Sequence, residues 1–150
     1  MGIEQDINQP KFRNEYQKAG INLIYTFNWM TGQLKKLHDQ FEITSQQFNI
    51  LRILRGAGKP LSTLQIRQRM LDKMSDTSRI VDRLVIKELV KKVICEEDRR
   101  LVDVTITEKG LKLLDMMDKY QDDMDNILKN LSDEEAKTLN KLLDKIRFEQ

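Results

Sequence analysis

The feature that most restricts the fold is a change of hydrophobic period between residues 44 and 106. Three marked helix starts come first. Thr44-Ser45-Gln46-Gln47 reads as a capping box, in which the Thr44 hydroxyl accepts a first-turn amide and Gln47 reaches back to the Thr44 amide. The helix it opens carries Phe48, Leu51, Ile53 and Leu54 and stops near Gly56-Ala57-Gly58. Ser62-Thr63-Leu64-Gln65 is a second box, opening a short helix with Ile66 and Met70. Ser75 is the expected N-cap of a third helix, with Ile80, Val81, Leu84, Val85 and Leu89. From Val90 the chain becomes β-compatible, and Val102, Val104 and Ile106 alternate with Asp103 and Thr105. Between the two runs, Glu96-Glu97-Asp98-Arg99-Arg100 is fully charged and must be an exposed tip. Three short helices with tight turns make a compact tri-helical unit. A two-stranded hairpin is marginal alone, so it must lie against those helices.

The flanks are helical. Residues 1–11 lack periodicity and read as a loose arm. From Phe12 to about Asp39, Leu23, Phe27, Met30, Leu34 and Leu37 form one stripe, and Ile21, Ile24 and Trp29 lie off it. A helix apolar on more than one side has more than one partner. Gly20 and Gly32 weaken the reading of an unbroken helix. Thr107 is an expected cap for a long pattern through Leu111, Leu114, Met117, Met124, Ile127 and Leu131. A third box, Ser132-Asp133-Glu134-Glu135, opens a last helix with Leu139, Leu142, Leu143 and Ile146. With 150 residues, two prolines and no Gly- or Pro-rich linker, the expectation is one domain over 1–150. Its class is mostly α with a small β-hairpin.

Composition excludes several functions. One cysteine (Cys95) and one histidine (His38) rule out a disulfide framework and a cysteine/histidine zinc site. No apolar run approaches the roughly 20 residues of a membrane span. The first residues show no signal-type apolar stretch, so a cytoplasmic protein is expected. No phosphate-cradling glycine loop and no G-x-S-x-G elbow occurs. Asp122-Asp123-Asp125 lacks the glycine and terminal glutamate of a calcium loop. Asp133-Glu134-Glu135 is a helix first turn, where the dipole favours carboxylates. No enzyme activity, metal or cofactor is expected.

The formal net charge of +2 hides an uneven distribution. Residues 43–93 carry eleven basic and four acidic side chains, whereas 1–42 carry five of each and 107–150 carry eight and eleven. A basic middle suits a polyanion. On charge alone, an uneven solvated surface explains it equally well. The residues after Ser75 are more specific: Asp76, Thr77, Ser78, Arg79, Asp82 and Arg83. Hydroxyls and free amides at a helix start can hold a phosphate, and arginine can grip guanine O6 and N7. Arg79 and Arg83, four apart, share a face. Surface pairing of Asp82 with Arg79 or Arg83 would account for the arginines but not for the hydroxyls. At the hairpin tip, Asp98 and Arg100 lie two apart and share a side if the tip is extended. Asp98 would then orient the Arg100 guanidinium for a narrow minor groove. An ordinary charged turn is the plainer alternative.

In this order the segments ITSQQFNILRIL (43–54), SDTSRIVDRLVIKELV (75–90) and EEDRRLVDVTITEKG (96–110) resemble the MarR family of winged helix-turn-helix regulators. The resemblance implies a homodimer in which helices over 12–40 and 111–148 form the dimer interface and 43–110 form the DNA-binding unit. It implies a double-stranded, pseudo-palindromic operator as partner and the role of a repressor. By motif position, Ser75, Asp76, Thr77, Ser78, Arg79 and Arg83 fall on the recognition helix, and Asp98 and Arg100 on the wing. Lys73, Lys91 and Lys92 would add phosphate contacts. Members are often released from DNA by small phenolic or other aromatic ligands, or by cysteine oxidation. Tyr25, Trp29, His38 and Phe48 are the candidate ligand pocket, although aromatics at helical spacing are more often core. Two departures stand out: Glu88 occupies a position where the family usually has glycine, and Cys95 replaces a common acidic residue. Cysteine sensing of the first-helix type is not expected here, and Cys95 reads as a passive wing residue. A protein-interaction module that keeps the fold without specific DNA binding, a transcriptional activator and a small enzyme are the alternatives.

Overall fold

The computed structural model describes residues 1–148. The arm expected to be loose contains a one-turn helix, α1 (Ile3–Asp6), because Ile3 is buried and Glu4 pairs with Lys18. The next helix, α2 (Glu15–Asp39), starts where the Asn14 side chain accepts the Gln17 amide at 2.9 Å. Neither Gly20 nor Gly32 breaks it. Its only buried residue is His38.

The capping boxes then set the boundaries. Thr44 and Gln47 exchange both bonds, at 3.0 and 3.1 Å, and start α3 (Ser45–Ala57). That helix ends at Gly58, whose φ of +64° suits a residue without Cβ. Strand β1 (Leu61–Ser62) and α4 (Thr63–Arg69) follow, with Ser62 and Gln65 forming the second box. Helix α5 (Thr77–Ile86) begins one residue later than expected. Asp76 is its cap, accepting the Arg79 amide, while the Ser75 hydroxyl donates to Asp72 O at 2.7 Å in the preceding turn. It also ends earlier, and Leu89 packs from the following turn.

Strands β2 (Val90–Ile94) and β3 (Val102–Ile106) form the expected hairpin, pairing Val90 with Ile106 and Ile94 with Val102. The sheet has a third member: β1 pairs with β3 through Leu61 and Val104, giving the order β1-β3-β2. Two residues are too few to show alternation, which is why that strand is invisible in the sequence. The core joins Ile50, Leu51 and Leu54 of α3 to Ile66, Val81, Leu84, Val90 and Val104, all 2% exposed or less.

Helix α6 (Glu108–Asp118) starts at Thr107, whose hydroxyl accepts the Gly110 amide at 3.1 Å. It adds Leu114 and Met117 to the core. It ends at Asp118 and does not continue to Leu131 as the apolar repeat led one to expect. The chain divides into two compact units, Met1–Asp118 and Lys119–Gln150. The second contains α7 (Gln121–Asp125), a 3-10 turn (Asn126–Leu128) and α8 (Asp133–Arg147), which opens with the Ser132–Glu135 box. No residue of α8 is buried. No helix among the described residues is long and apolar enough to cross a membrane.

Candidate nucleic-acid interface

Helix α5 sorts its residues by face. Ile80, Val81 and Leu84 point into the core, and Asp76, Ser78, Arg79, Asp82 and Arg83 are exposed. The surface pairing weighed for Asp82 does not occur. Its carboxylate takes Lys92 of β2 at 2.6 Å instead. Arg79 and Arg83 are left on one exposed face with no ion pair among the described residues. Thr77 departs from the expected outward row of hydroxyls. It is 3% exposed, and its hydroxyl has no hydrogen-bond partner among the described residues. The first turn of α5 directs it inward, beside the cavity between α4 and α5.

That cavity, of about 430 Å³, is lined by Thr63, Leu64 and Arg67 of α4 and by residues 75–78. Sequence reasoning missed Thr63 and Arg67. The second capping box places both on one short helix facing the start of α5, and the exposed Arg67 extends the same cationic surface. Of the expected phosphate-contacting lysines, Lys91 is exposed. Lys92 is held by Asp82, and Lys73 donates to the Gln68 carbonyl, closing the turn after α4.

The wing tip shows how its arginine is held. Cys95 donates its amide to Leu101 O at 3.0 Å, and Leu101 donates to Asp98 O at 2.9 Å, so residues 98–101 form a turn. Asp98 Oδ1 accepts both the Arg100 amide and Nε, and Oδ2 accepts Nη2, each at 3.1 Å. The pairing of Asp98 with Arg100 therefore comes from a turn rather than from the extended strand expected. An aspartate that accepts the amide two residues on is the usual way this side chain stabilises a turn. The Arg100 guanidinium and amide together hold the Asp98 carboxyl below its ordinary pKa. The Arg100 side chain is 90% exposed and projects from the protein already oriented. Cys95 is half-buried at the base of this tip.

The aromatic set divides. His38 and Phe48 meet with ring centroids 4.8 Å apart, and His38 Nδ1 lies 2.7 Å from Ser45 Oγ. His38 Nε2 is buried without a partner among the described residues. Burial lowers the His38 pKa, against a smaller opposing pull from Asp39. An adjoining cavity of about 460 Å³ is lined by His38 with Asn28, Thr31, Lys35 and Ser45 among others. Tyr25 and Trp29 do not line it and stand exposed on α2. Among the described residues, this cavity takes in His38 of the four, while Phe48 packs on the His38 ring.

The geometry is that of a helix-turn-helix with a wing. Residues 43–102 match the model of the MarR family. The transcriptional regulator TcaR of Staphylococcus aureus is 30% identical over 127 residues, spanning 82% of this chain and 83% of TcaR. The chain belongs to the MarR family. As a MarR-family transcriptional regulator it is not an enzyme. Its fold recurs among solved structures. A cysteine-substituted MarR from Escherichia coli, complexed with operator DNA, superposes with a TM-score of 0.82 at 24% identity, covering 92% of this chain and 99% of that one. BpsR of Bordetella bronchiseptica, whose DNA binding is regulated by 6-hydroxynicotinic acid, superposes at 0.81 with 20% identity, covering 93% and 100%.

Proposed function

We propose that this MarR-family protein is a cytoplasmic homodimeric repressor that reads a pseudo-palindromic operator and is released by a small aromatic ligand. The observation that carries the reading is the pair of exposed arginines on α5, without an ion pair among the described residues, together with a wing whose Arg100 is held outward by Asp98. Arg79 and Arg83 enter a major groove, supported by Ser75, Asp76 and Ser78 at the helix start. Arg100 occupies the flanking minor groove, where a narrow, electronegative channel attracts arginine. Lys73, Lys91 and Lys92 add salt-dependent contacts to phosphates. Buried Thr77 supports the helix start rather than touching the duplex.

Dimerisation is supported by apolar side chains that this chain leaves uncovered. Ile24, Phe27 and Trp29 of α2 are exposed, as are Leu142 and Ile146 of α8 and Phe148 beyond it. Faces of this kind are covered by a second copy in a symmetric dimer. Two recognition helices then meet half-sites about 34–36 Å apart. Ligand release is supported by the cavity beside His38, whose unpartnered Nε2 suits a hydroxyl-bearing ring, and by the regulation of BpsR. The ligand acts by favouring a dimer whose helix separation does not match the operator.

The test is fluorescence anisotropy on a duplex selected from a random library, against scrambled DNA, across a salt series. Tight binding to the selected duplex, a steep salt slope and loss on Arg100→Ala support the reading. Failure to select any preferred duplex refutes specific DNA recognition and favours an interaction module. Sedimentation velocity checks the dimer, and reporter repression in cells separates repressor from activator.

A further inference from the structure

The segment Thr107-Glu108-Lys109-Gly110 plays no part in the surface described above, yet it closes on the far end of α5. Three successive carbonyls after that helix are all taken by it. Lys109 Nζ donates to Lys87 O at 3.0 Å, Thr107 Oγ1 to Glu88 O at 2.7 Å, and the Thr107 amide to Leu89 O at 3.0 Å. Gly110 lies against the same turn: a Cβ there would stand 2.4 Å from Leu89 O. Within the turn, Glu88 has a φ of +61°, a left-handed conformation that a non-glycine residue keeps only when its surroundings impose it.

The connection runs on through Lys87. Its ammonium donates to Glu42 O and, at 3.1 Å, to Gln47 Oε1, the side chain that closes the cap of α3. Glu42 is itself left-handed, at φ +57°. One hydrogen-bonded line thus joins the start of α6, the end of α5 and the turn between α2 and α3. The DNA-facing residues sit at the opposite end of α5. Ten residues of helix span about 15 Å, so a tilt of about 5° at the held end moves the start of the helix by about 1 Å. Recognition geometry tolerates about half an ångström.

We infer that Thr107, Lys109 and Lys87 are positioning residues for DNA recognition: Thr107 and Lys109 clamp the three carbonyls that follow α5 to the start of α6, Lys87 ties the same turn to the α2–α3 turn, and together they fix the aim of α5. The inference rests on the DNA-binding reading above. It assigns the clamp side chains to specificity rather than to contact with DNA.

Thr107 allows the test, because its hydroxyl has two separable roles. It accepts the Gly110 amide, capping α6, and it donates to Glu88 O. Thr107→Asp keeps the acceptor and loses the donor, whereas Thr107→Ser keeps both. Two quantities are measured on the full chain. One is amide hydrogen exchange over residues 86–90 without DNA. The other is the ratio of affinities for a selected and a scrambled duplex, in which a uniform change of charge cancels. Thr107→Asp and Lys109→Met are expected to speed exchange and to lower the ratio about tenfold, the factor set by one lost hydrogen bond. Thr107→Ser is expected to restore both. Lys112→Met removes an ammonium that pairs, among the described residues, with the exposed Glu108, and is expected to leave both within about twofold. Faster exchange with an unchanged ratio would overturn the positioning role. Unchanged exchange would show that the clamp holds nothing. If the unsubstituted protein prefers no duplex, the DNA-recognition reading fails and takes the positioning role with it, while the exchange data still show whether the clamp exists.

Discussion

Replacing Gly110 by alanine opposes two effects of known sign. Gly110 is the third residue of α6, where helix propensity alone favours alanine by up to about 1 kcal/mol. The surroundings oppose it. An added Cβ would lie 2.4 Å from Leu89 O, 2.7 Å from Ile106 Cγ1 and 3.3 Å from Ile106 Cδ1. Ile106 can turn aside, but the Leu89 carbonyl is backbone already bonded to the Thr107 amide at 3.0 Å. Relief requires α6 to move away from that turn. Overpacking of this kind costs about 1–3 kcal/mol, and the hydrogen bond lost with the movement adds about 1 kcal/mol. The clash wins, with a net loss of about 1–3 kcal/mol. For a chain of this size the melting temperature should fall by about 3–10 °C. Urea unfolding followed by far-ultraviolet circular dichroism, at fixed protein concentration, should show a lower midpoint with an unchanged m value. Gly56→Ala is the matched control. Beyond its own helix backbone and chain neighbours, no atom of the described residues lies within 4 Å of its added Cβ, so propensity acts alone and stability should rise by up to about 1 kcal/mol. A Gly110→Ala protein as stable as the original would refute the close approach of α6 to the α5–β2 turn.

Four further outcomes follow from the geometry of the wing, His38 and the α5–β2 turn. Arg100→Ala should weaken binding to a selected duplex about tenfold and flatten the salt slope by about 0.9, read by anisotropy. Asp98→Ala removes a negative charge, so charge alone predicts tighter binding. Loss of the preorganised fork predicts binding about threefold to tenfold weaker, and a tighter complex would discredit the orienting role of Asp98. His38 has a depressed pKa in the folded state, so below its ordinary value near 6.5 the unfolded chain binds more protons. Stability should therefore fall as pH drops from 6.5 towards the folded pKa, and His38→Gln should flatten that part of a melting-temperature profile. At Glu88, glycine removes a left-handed penalty of about 1–2 kcal/mol but adds about 0.5–1 kcal/mol of unfolded-state freedom. The exposed contact with Lys109, at 3.8 Å, contributes little. Glu88→Gly should stabilise by about 0.5 kcal/mol in urea unfolding, and a destabilised protein would contradict the strain.

What the sequence could reveal depended on whether the interaction is local. Thr44 with Gln47, Ser62 with Gln65 and Ser132 with Glu135 are three residues apart, so spacing alone specifies their bonds. The β2–β3 hairpin was legible for the same reason, through alternation across five residues. Strand β1 was not, because its two residues gain their identity from Val104, more than forty positions away. The inward turn of Thr77 was equally hidden, since Asp76 rather than Ser75 caps α5 and shifts the helix start by one residue. Asp98 and Arg100 show the intermediate case. Their proximity follows from a separation of two in either an extended or a turned tip, so the pair was predictable although its backbone was not. The clamp lies at the other limit. Thr107 donates to Glu88 across 19 positions and Lys87 to Gln47 across 40. Such bonds leave no periodic trace, and only the left-handed Glu88 and Glu42 mark in the backbone where the held turns lie. The residues that would touch DNA and the residues that would aim them therefore belong to different kinds of signal. The first can be read from helix faces and charge, whereas the second needs the folded chain.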